Sequence, residues 1–335
     1  MFISVIMAVH NGEEYLEESV KSILNQTYNN FEFIIVNDGS TDKTNKILQS
    51  ISDPRIRTIH LEKNHGVAFA RNLAVEQAKG DWIANQDGDD ISLPNRLEEQ
   101  IKYIQTHPET IAVCSLIQCI SGNTPVDEQY LREREKYHNN IITHNQIERE
   151  RFSNCPICCG TALFLKKAFI KVGGYDSTIP IGSDYDLIVM RMFNIGKVEV
   201  MPKILYQYRV NMKSITRQNE IETLNFINVV SLKGIRNICY PQLKRSPVIA
   251  VIGTHNGYRN FRDNVIPLTE FEVYDYFELS LLKAARQIIR LIRKNKIDGI
   301  IVLKNDSTET LLRFFLKDGK VKLNKNLFII KNNVR

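Results

Sequence analysis

Residues 80–100, GDWIANQDGDDISLPNRLEEQ, place a short apolar run directly before three closely spaced aspartates. The run Trp82–Ala84 predicts a buried strand, and the aspartates are Asp87, Asp89 and Asp90. Carboxylates this close together repel one another unless a cation lies between them. The stretch therefore concentrates negative charge at the carboxyl end of a predicted strand.

Alternating strand and helix patterns precede this stretch and set the fold class. The predicted strands cover residues 3–9, 31–36 and 55–60, and the predicted helices cover residues 13–26, 43 onward and 65–80. This alternation predicts an α/β fold with a mostly parallel central sheet and helices on both faces. Because ligands bind at the carboxyl ends of parallel strands, Asp38 and the later aspartates are expected to share one rim.

The aspartates have two explanations. Mg²⁺ or Mn²⁺ prefers oxygen ligands and often bridges protein carboxylates to substrate phosphates, and Gly88 would allow the backbone to approach closely. Alternatively, Asp90 and Ser92 cap a helix that begins near Pro94. The spacing alone leaves both open, and we expect a capping role for at least one of Asp90 and Ser92.

Four segments of the chain resemble, in the same order, the inverting glycosyltransferases called family 2. They are SVIMAVHNGEEYLEESVKSILNQTYNNFEFIIVNDGSTDKT (4–44), NHGVAFARNLAVEQAKGDWIANQDGDDISLPNRLEEQ (64–100), CGTALFLKKAFIKVGGYDSTIPIGSDYDLIVMRM (159–192) and ILYQYRVNMKSIT (204–216). The resemblance implies the nucleotide-diphospho-sugar transferase fold, called GT-A-like. It also implies transfer of one sugar to an acceptor hydroxyl with inversion, in synthesis of cell-surface polysaccharide or glycoconjugate. The absence of membrane spans and of the family's Gln-x-x-Arg-Trp motif indicates a non-processive enzyme.

The resemblance also implies a role for individual residues. It assigns the nucleotide sugar to His10, Asn11, Asp38, Arg71 and Asp87, the metal to Asp89, and the general base to Asp184. Within the first group, Asp38 would contact the nucleotide base and Asp87 would lie toward the ribose. The implied ligands are Mn²⁺ or Mg²⁺ and a nucleotide-diphospho-sugar, with a UDP-sugar favoured.

The sequence departs from the usual family pattern at several positions. His10 stands where tyrosine is common near the nucleotide base, and Asn37 replaces a common aspartate. Ser183 replaces the glutamate that usually precedes the base. Asn211 replaces a histidine often found after the Tyr-Arg-Val run. The acidic residues implied for the ribose, the metal and the base are all retained.

Asp184 has an alternative role that the residues alone leave open. It lies before an apolar, helix-like run that extends from Leu187 to Met192, so its carboxylate could cap that helix, with Asp186 in the first turn. Inverting transfer instead needs a carboxylate that takes the proton from the acceptor hydroxyl. The family resemblance favours the second role.

Charge is distributed unevenly along the chain and indicates a second domain. Residues 1–232 carry 24 Lys and Arg against 29 Asp and Glu, a net charge of −5, whereas residues 233–335 carry 20 against 9, a net charge of +11. We therefore expect a catalytic domain over residues 1–240 and a small basic α/β domain over residues 246–335. In the second domain VIAVIG, IDGIIVL and NLFII predict strands, and residues 276–295 predict a helix.

That helix has one apolar face and a set of cations on the others. The apolar positions are Leu281, Leu282, Ala285, Ile288, Ile289 and Ile292, and the cations are Lys283, Arg286, Arg290, Arg293 and Lys294. The cations are explained either as a solvated face or as a docking surface for an anionic polymer, an anionic lipid surface or an acidic protein. No nucleic-acid motif accompanies them, so nucleic acid is not expected as a partner.

Two other features of the sequence do not indicate a catalytic or metal site. Cys155, Cys158 and Cys159 lack a second cysteine pair at zinc-finger spacing, so a partly buried loop is preferred over zinc. Residues 121–152, which include His138 and His144, predict a charge-rich solvated loop.

The alternatives to a glycosyltransferase are a non-catalytic module that binds sugar nucleotide or polymer, and a sugar-phosphate nucleotidyltransferase.

The expected location follows from what the sequence lacks. No stretch approaches the roughly 18 apolar residues of a membrane span, and the start MFISVIMAVHNG predicts a strand. Six irregularly spaced cysteines do not indicate a disulfide framework. We expect a cytoplasmic protein, with peripheral contact at the inner membrane face through the basic domain as an open alternative. The acceptor is expected to be a glycan, a glycolipid or an anionic polymer, and the oligomeric state stays open.

Overall fold

The chain forms two compact units in the computed structural model, which describes residues 1–211, 219–278, 282–304 and 308–331. The first unit comprises residues 1–148 and 156–218, and the second comprises residues 149–155 and 219–335. The end of the fourth family-like segment, residues 212–216, lies outside the described residues.

The first unit is built on one mixed sheet with strand order β3-β2-β1-β4-β7-β6-β8-β5. The strands are β1 Ile3–Val9, β2 Phe31–Asp38, β3 Ile56–Leu61, β4 Trp82–Asn85, β5 Ile91–Ser92, β6 Thr110–Ser121, β7 Leu163–Leu165 and β8 Lys197–Val210. Strands β1 to β4 pair in parallel, which confirms the α/β prediction. Strand β7 pairs antiparallel with β4 and β6, and β5 pairs antiparallel with β8.

Helices connect these strands. They are α1 Leu16–Leu24, α2 Thr44–Ser50, α3 Val67–Gln77, α4 Arg96–Thr106, α5 Glu128–Asn139, α6 His144–Glu150 and α7 Lys166–Lys171. Short 3-10 turns span Cys159–Thr161 and Met192–Asn194, and a π-helix spans Tyr185–Arg191. Within the described part of the chain, none of the helices has the length and hydrophobicity required to cross a bilayer.

Alternation along β1 shows how the helices cover the sheet. Ile3, Val5, Met7 and Val9 lie in one buried cluster with apolar residues of α1 and α4. Helix α3 also packs against β1 and β2 but contributes no residue to that cluster. Because successive side chains of a strand point to opposite faces, helices cover both faces of the parallel half of the sheet.

The prediction of a solvated loop over residues 121–152 is wrong, because this segment contains α5 and α6. Asp127 caps α5 by accepting a hydrogen bond from the Tyr130 N–H at 3.0 Å. The Asn139 side chain then exchanges two hydrogen bonds with the main chain of Ile117 in β6, at 2.7 and 2.9 Å. Tyr130 and Leu131 of α5 also pack against a buried cluster that includes Ile117, but most residues of the helix are polar or charged, so hydrophobic periodicity does not reveal it.

The second unit is a small parallel α/β fold, as predicted. Its sheet has the order β10-β9-β11-β12, with all neighbours parallel. The strands are β9 Val248–Gly253, β10 Glu272–Glu278, β11 Gly299–Leu303 and β12 Leu327–Ile330. The helices are α8 Glu220–Cys239, α9 His255–Asn264, α10 Leu282–Arg293 and α11 Thr308–Phe315.

Two boundaries differ from the sequence prediction. The second unit begins before the expected boundary at residues 240–246, because α8 bonds within it: Asn228 Nδ2 donates to the Lys331 carbonyl at 3.2 Å. The helix expected over residues 276–295 is α10, and residues 276–278 belong instead to β10. Leu281 and the side chains of Leu282 and Lys283 lie outside what the structure describes.

Candidate active site

The carboxyl ends of three neighbouring parallel strands form the rim on which most of the predicted site residues lie. Strand β1 pairs in parallel with β2 on one side and with β4 on the other. Asp38 is the last residue of β2, and Asp87 follows the end of β4 by two positions. The parallel pairing therefore brings Asp38 and Asp87 to the same edge of the sheet although they are distant in sequence.

Asp38 is bonded to the main chain at the start of α3. Its two carboxylate oxygens accept hydrogen bonds from the N–H groups of His65 at 2.8 Å and Gly66 at 2.9 Å. Gly66 has a φ of +91°, in the region that favours glycine. Asp38 therefore fixes where α3 begins, and each oxygen keeps further lone-pair capacity for a ligand.

His10 and Asn11 connect the loop after β1 to the loop after β2. The Asp38 carbonyl can only accept, so the His10 Nδ1–H donates to it at 2.7 Å. The His10 Nε2 then accepts from the Asn11 amide nitrogen at 3.2 Å. The Asn11 Oδ1 accepts from the Thr41 N–H at 2.8 Å. The imidazole is exposed beside Asp38, where a flat ring can stack on a planar ligand.

Arg71 joins two predicted site residues from distant parts of the chain. It lies on α3 and is 5% exposed. Its Nη1 donates to Asp184 Oδ2 and its Nη2 donates to Asp87 Oδ1, both at 2.5 Å. Burial alone would lower the pKa of Arg71, but the charges of Asp184 and Asp87 outweigh it and raise that pKa above its ordinary value. The guanidinium thus stays charged and holds the two carboxylates on either side of itself.

The loop that contains Tyr175 holds this bridge in place, and sequence reasoning did not identify it. Asn72, next to Arg71 on α3, bonds both the N–H and the carbonyl of Tyr175, at 2.9 and 2.8 Å. The Arg71 guanidinium carbon lies 5.6 Å from the centre of the buried Tyr175 ring. The available signal was the Gly-Gly-Tyr turn after α7, in which Gly173 and Gly174 have positive φ.

Asp184 does not act as a helix cap. It precedes the π-helix but makes no side-chain cap hydrogen bond to it. One carboxylate oxygen accepts from Arg71, and the other, Oδ1, is buried without a hydrogen-bond partner. Buried carboxylate oxygens are rarely left unpaired, so Oδ1 is the atom available to a substrate group. Asp186, in the first turn, pairs instead with Arg191 at 2.6 Å.

Asp87 sits in a tight cradle. Its N–H donates to the Tyr206 hydroxyl at 3.2 Å, and its carbonyl accepts from the Ser19 hydroxyl at 2.8 Å. A Cβ at Gly160 would lie 2.6 Å from Asp87 Oδ2, so a larger residue there would displace the carboxylate. Strand β8, helix α1 and the 3-10 turn after residue 158 therefore all define its position.

Asp89 presents a carboxylate that no other described residue bonds. It is half-buried, and within the described part of the chain no other residue forms a hydrogen bond or ion pair with its side-chain oxygens, which interact with the main chain of Asp89 itself. Burial and the charge of Asp87 raise the pKa of Asp89 to about 6. A cation bound next to Asp89 would offset both effects.

The predicted capping role of Asp90 and Ser92 is wrong. Helix α4 begins at Arg96, and Asn95 precedes it without a side-chain cap. Asp90 is 1% exposed, and its Oδ1 accepts from the main-chain N–H of Arg209 in β8 at 2.7 Å. The Ser92 hydroxyl donates to Gln86 Oε1 at 2.6 Å and accepts from Arg96 at 2.8 Å. Both residues support the aspartate loop from within.

Arg209 is a second residue that sequence reasoning did not identify. Its Nε donates to the Asp89 carbonyl at 2.7 Å, and its Nη2 donates to Glu18 Oε2 at 2.6 Å. Its guanidinium carbon lies 4.4 Å from the centre of the Tyr15 ring. With its N–H on Asp90, Arg209 holds the aspartate loop at two points. The available signal was the Tyr-Gln-Tyr-Arg run that ends β8.

The cysteines do not build a metal centre in the described residues. Cys158 and Cys159 are buried and Cys155 is half-buried, and none of the three is in a disulfide. Across the described ranges, no group of three or more His, Cys, Asp or Glu side chains is placed to hold a metal ion.

Replacing Asp90 by alanine is expected to lower the free energy of unfolding by about 1–3 kcal/mol, because the buried Arg209 N–H loses its acceptor. Asp90→Asn keeps an oxygen in place and should lose less. Urea denaturation of the two variants and the wild type measures the difference. Equal stability of Asp90→Ala and wild type would contradict this role.

The same residue predicts a pH dependence. Burial, Asp89 and Asp87 raise the pKa of Asp90 well above its ordinary value of 3.8. The folded protein thus holds this proton more tightly than the unfolded chain, so wild-type stability relative to Asp90→Asn is greatest at low pH. This stability difference decreases as the pH rises from about 4 through the pKa that Asp90 has in the folded protein. Urea denaturation of both proteins in a metal chelator across this range tests the sign, and an unchanged difference would contradict it.

The sequence matches a known protein family. The family model for glycosyl transferase family 2 matches residues 4–173. The putative glycosyltransferase EpsE of Bacillus subtilis is 43% identical, over 65% of this chain and 76% of its own length. The O-antigen biosynthesis glycosyltransferase WbnJ of Escherichia coli is 37% identical, over 63% of this chain and 81% of its own length.

A solved structure shares the fold. The crystal structure of S. aureus TarS 1–349 in complex with UDP-GlcNAc matches with a TM-score of 0.55 and 20% identity, over 71% of this chain and 67% of that one. At this identity the likeness concerns the fold alone. The family match, which spans half of this chain, and the two relatives carry the assignment. The chain belongs to glycosyl transferase family 2 and is a glycosyltransferase.

Proposed function

We propose that this chain is a metal-dependent, inverting and non-processive glycosyltransferase. It moves one sugar from a nucleotide-diphosphate donor to an acceptor hydroxyl in the synthesis of a cell-surface polysaccharide or glycoconjugate. The observation that carries the proposal is the Arg71 bridge, which places Asp87 and Asp184 on the two sides of one guanidinium at 2.5 Å each. The bridge holds the donor-side Asp87 and the proposed base Asp184 close enough together to serve a single reaction centre.

The residues present fit a divalent metal. Asp89 offers hard oxygen donors that no other described residue uses, and a second carboxylate, that of Asp87, is close to it. When bound, the metal would act as a Lewis acid that neutralises the leaving diphosphate. Asp89 would hold it. A site with so few protein ligands is typical of Mg²⁺ and Mn²⁺ bound together with substrate phosphates.

The chain's own residues supply the rest of the chemistry. Asp184 takes the proton of the acceptor hydroxyl on Oδ1, the oxygen that Arg71 leaves unbonded. That hydroxyl oxygen forms the new bond to the anomeric carbon as the bond to the diphosphate oxygen breaks, so the configuration inverts. Arg71 fixes the direction of the carboxylate through its bond to Oδ2. Keeping base and metal on different aspartates matters, because a metal-bound oxygen is a poor base.

The nucleotide end of the donor is proposed to lie against His10, Asn11 and Asp38. The exposed His10 ring offers a stacking surface, and the Asp38 oxygens have capacity for one more donor each. A UDP-sugar is favoured by the family resemblance and by the UDP-GlcNAc complex of the TarS fragment with the same fold. A glycan acceptor is supported by the relative WbnJ, which is named for O-antigen biosynthesis.

Incubation with a panel of UDP- and GDP-sugars, with Mn²⁺ or with a chelator, tests the proposal directly. We expect slow release of the nucleoside diphosphate from one donor in the presence of Mn²⁺, since water can replace the acceptor. Faster release on addition of a glycan acceptor would identify the second substrate. Tight binding of a donor without any release would instead support a non-catalytic module.

A further inference from the structure

The second unit carries one strongly basic face, and its position follows from the topology. Helix α10 connects β10 to β11, and α11 connects β11 to β12, so both connections run in the same direction across the sheet order β10-β9-β11-β12. Helix α9 connects β9 to β10 in the opposite direction. Because such connections are right-handed, α10 and α11 lie on one face of the sheet and α9 lies on the other.

The buried side chains agree with this arrangement. Ile288 of α10 and Phe315 of α11 belong to one apolar cluster with Ile252 of β9 and Val302 of β11. Phe261 of α9 is buried outside that cluster. The inner sides of α10 and α11 are thus used by the core, and their outer sides form one continuous surface.

We call this surface the two-helix basic face, and it is defined by its exposed cations. They are Arg286, Arg290, Arg293, Lys294, Arg313, Lys317 and Lys320. Among the described side chains of α10, α11 and the turn after α11, Asp318 is the one acidic group. It is largely buried and pairs with Arg293 at 2.5 Å, which also joins the ends of the two helices. A face with so little compensating charge has a net positive potential.

One apolar side chain interrupts the cations. Leu316 is 48% exposed and lies between the end of α11 and Lys317. An exposed leucine next to lysines gains free energy where it can leave water while the ammonium groups stay at a charged interface. A soluble polysaccharide chain offers the charge but no apolar layer. The combination therefore favours a lipid surface over a polymer.

We propose that the two-helix basic face docks on an anionic lipid bilayer, such as the cytoplasmic leaflet of the membrane. Because the apolar sides of α10 and α11 are occupied by the core, the helices do not insert. Attraction comes from the cations near the anionic surface, with a small contribution from Leu316. Binding is then reversible and weakens with salt, since screening acts over about 8–10 Å near physiological ionic strength. The proposal concerns the second unit and does not depend on the sugar-transfer reaction.

Sedimentation of the full chain with lipid vesicles tests the proposal. We expect binding to vesicles of phosphatidylcholine with phosphatidylglycerol, and none to vesicles of phosphatidylcholine alone. The double variant Arg286→Glu with Arg290→Glu should bind at least about 30-fold more weakly than wild type, and Leu316→Ser should also bind more weakly than wild type. A matched control, Arg259→Glu with Arg262→Glu, makes the same charge change on the exposed side of α9 and should keep most of the binding.

Thermal unfolding checks that both double variants are folded, so that weaker binding is not a folding defect. Absence of wild-type binding to the anionic vesicles at low salt would overturn the proposal. Equal loss in the two double variants would also overturn it, because attraction would then follow net charge and not this face. Binding to soluble polygalacturonate without binding to vesicles would overturn it in favour of a polymer partner.

Discussion

Replacement of Asp184 by asparagine is expected to reduce turnover by about 10²–10⁴-fold while the fold and the affinity for UDP stay unchanged. The asparagine oxygen can still accept the hydrogen bond that Arg71 donates to Asp184 Oδ2. The geometry of the bridge is therefore kept, and the loss concerns the proton acceptor alone. Release of UDP from the preferred donor measures turnover, and calorimetry with UDP and Mn²⁺ measures affinity.

Asp186→Asn is the matched control for this prediction. It changes a carboxylate two positions away that pairs with Arg191 and not with Arg71. We expect this control to lose stability but to keep most of the turnover of the folded protein. If Asp184→Asn keeps near-normal turnover, the base lies elsewhere and the unpaired oxygen of Asp184 has another role.

The parallel part of the sheet could be predicted from the sequence because its signals are local. The apolar run of residues 3–9 coincides with β1 Ile3–Val9, and its bounding turn is Asn11-Gly12, where Asn11 takes a φ of +53°. The same run-and-turn pattern placed Asp38 at the end of β2. A parallel pairing then follows from the alternation with helices, and the shared rim follows from the pairing.

The roles of the neighbouring aspartates could not be predicted in the same way, because their partners are distant. Asp90 resembles a helix cap in its local sequence, yet its acceptor oxygen bonds the Arg209 N–H in β8, 119 positions later. Ser92 likewise bonds Gln86 and Arg96 inside the loop. Local pattern and tertiary contact compete for the same side chain, and burial decides in favour of the contact.

The Arg71 bridge shows a second limit. The family resemblance implied that Arg71 lines the nucleotide pocket, but the residues alone gave no reason to connect it with Asp184. The connection depends on how the Asn72 side chain binds the Tyr175 loop and so brings the π-helix to α3. Asp87 and Asp184 are both ion-paired with this one guanidinium, and this separates both from Asp89.

That separation predicts the effect of replacing Asp89. Asp89→Ala is expected to weaken the Mn²⁺-dependent binding of UDP by at least about 100-fold, since loss of a supporting partner of a metal ligand already costs 10–100-fold. The side chain makes no hydrogen bond or ion pair with any other described residue. Its pKa of about 6 reflects burial and repulsion from Asp87, so its removal should leave the free energy of unfolding unchanged or raise it. Asp90→Asn is the matched control, because it replaces the neighbouring carboxyl group but keeps an oxygen acceptor for the Arg209 N–H. Calorimetry with UDP, with Mn²⁺ or with a chelator, measures the metal-dependent part. If Asp89→Ala binds UDP in Mn²⁺ as tightly as the wild type does, Asp89 is not a metal ligand. If the wild type binds UDP equally tightly in the chelator, binding does not depend on a metal.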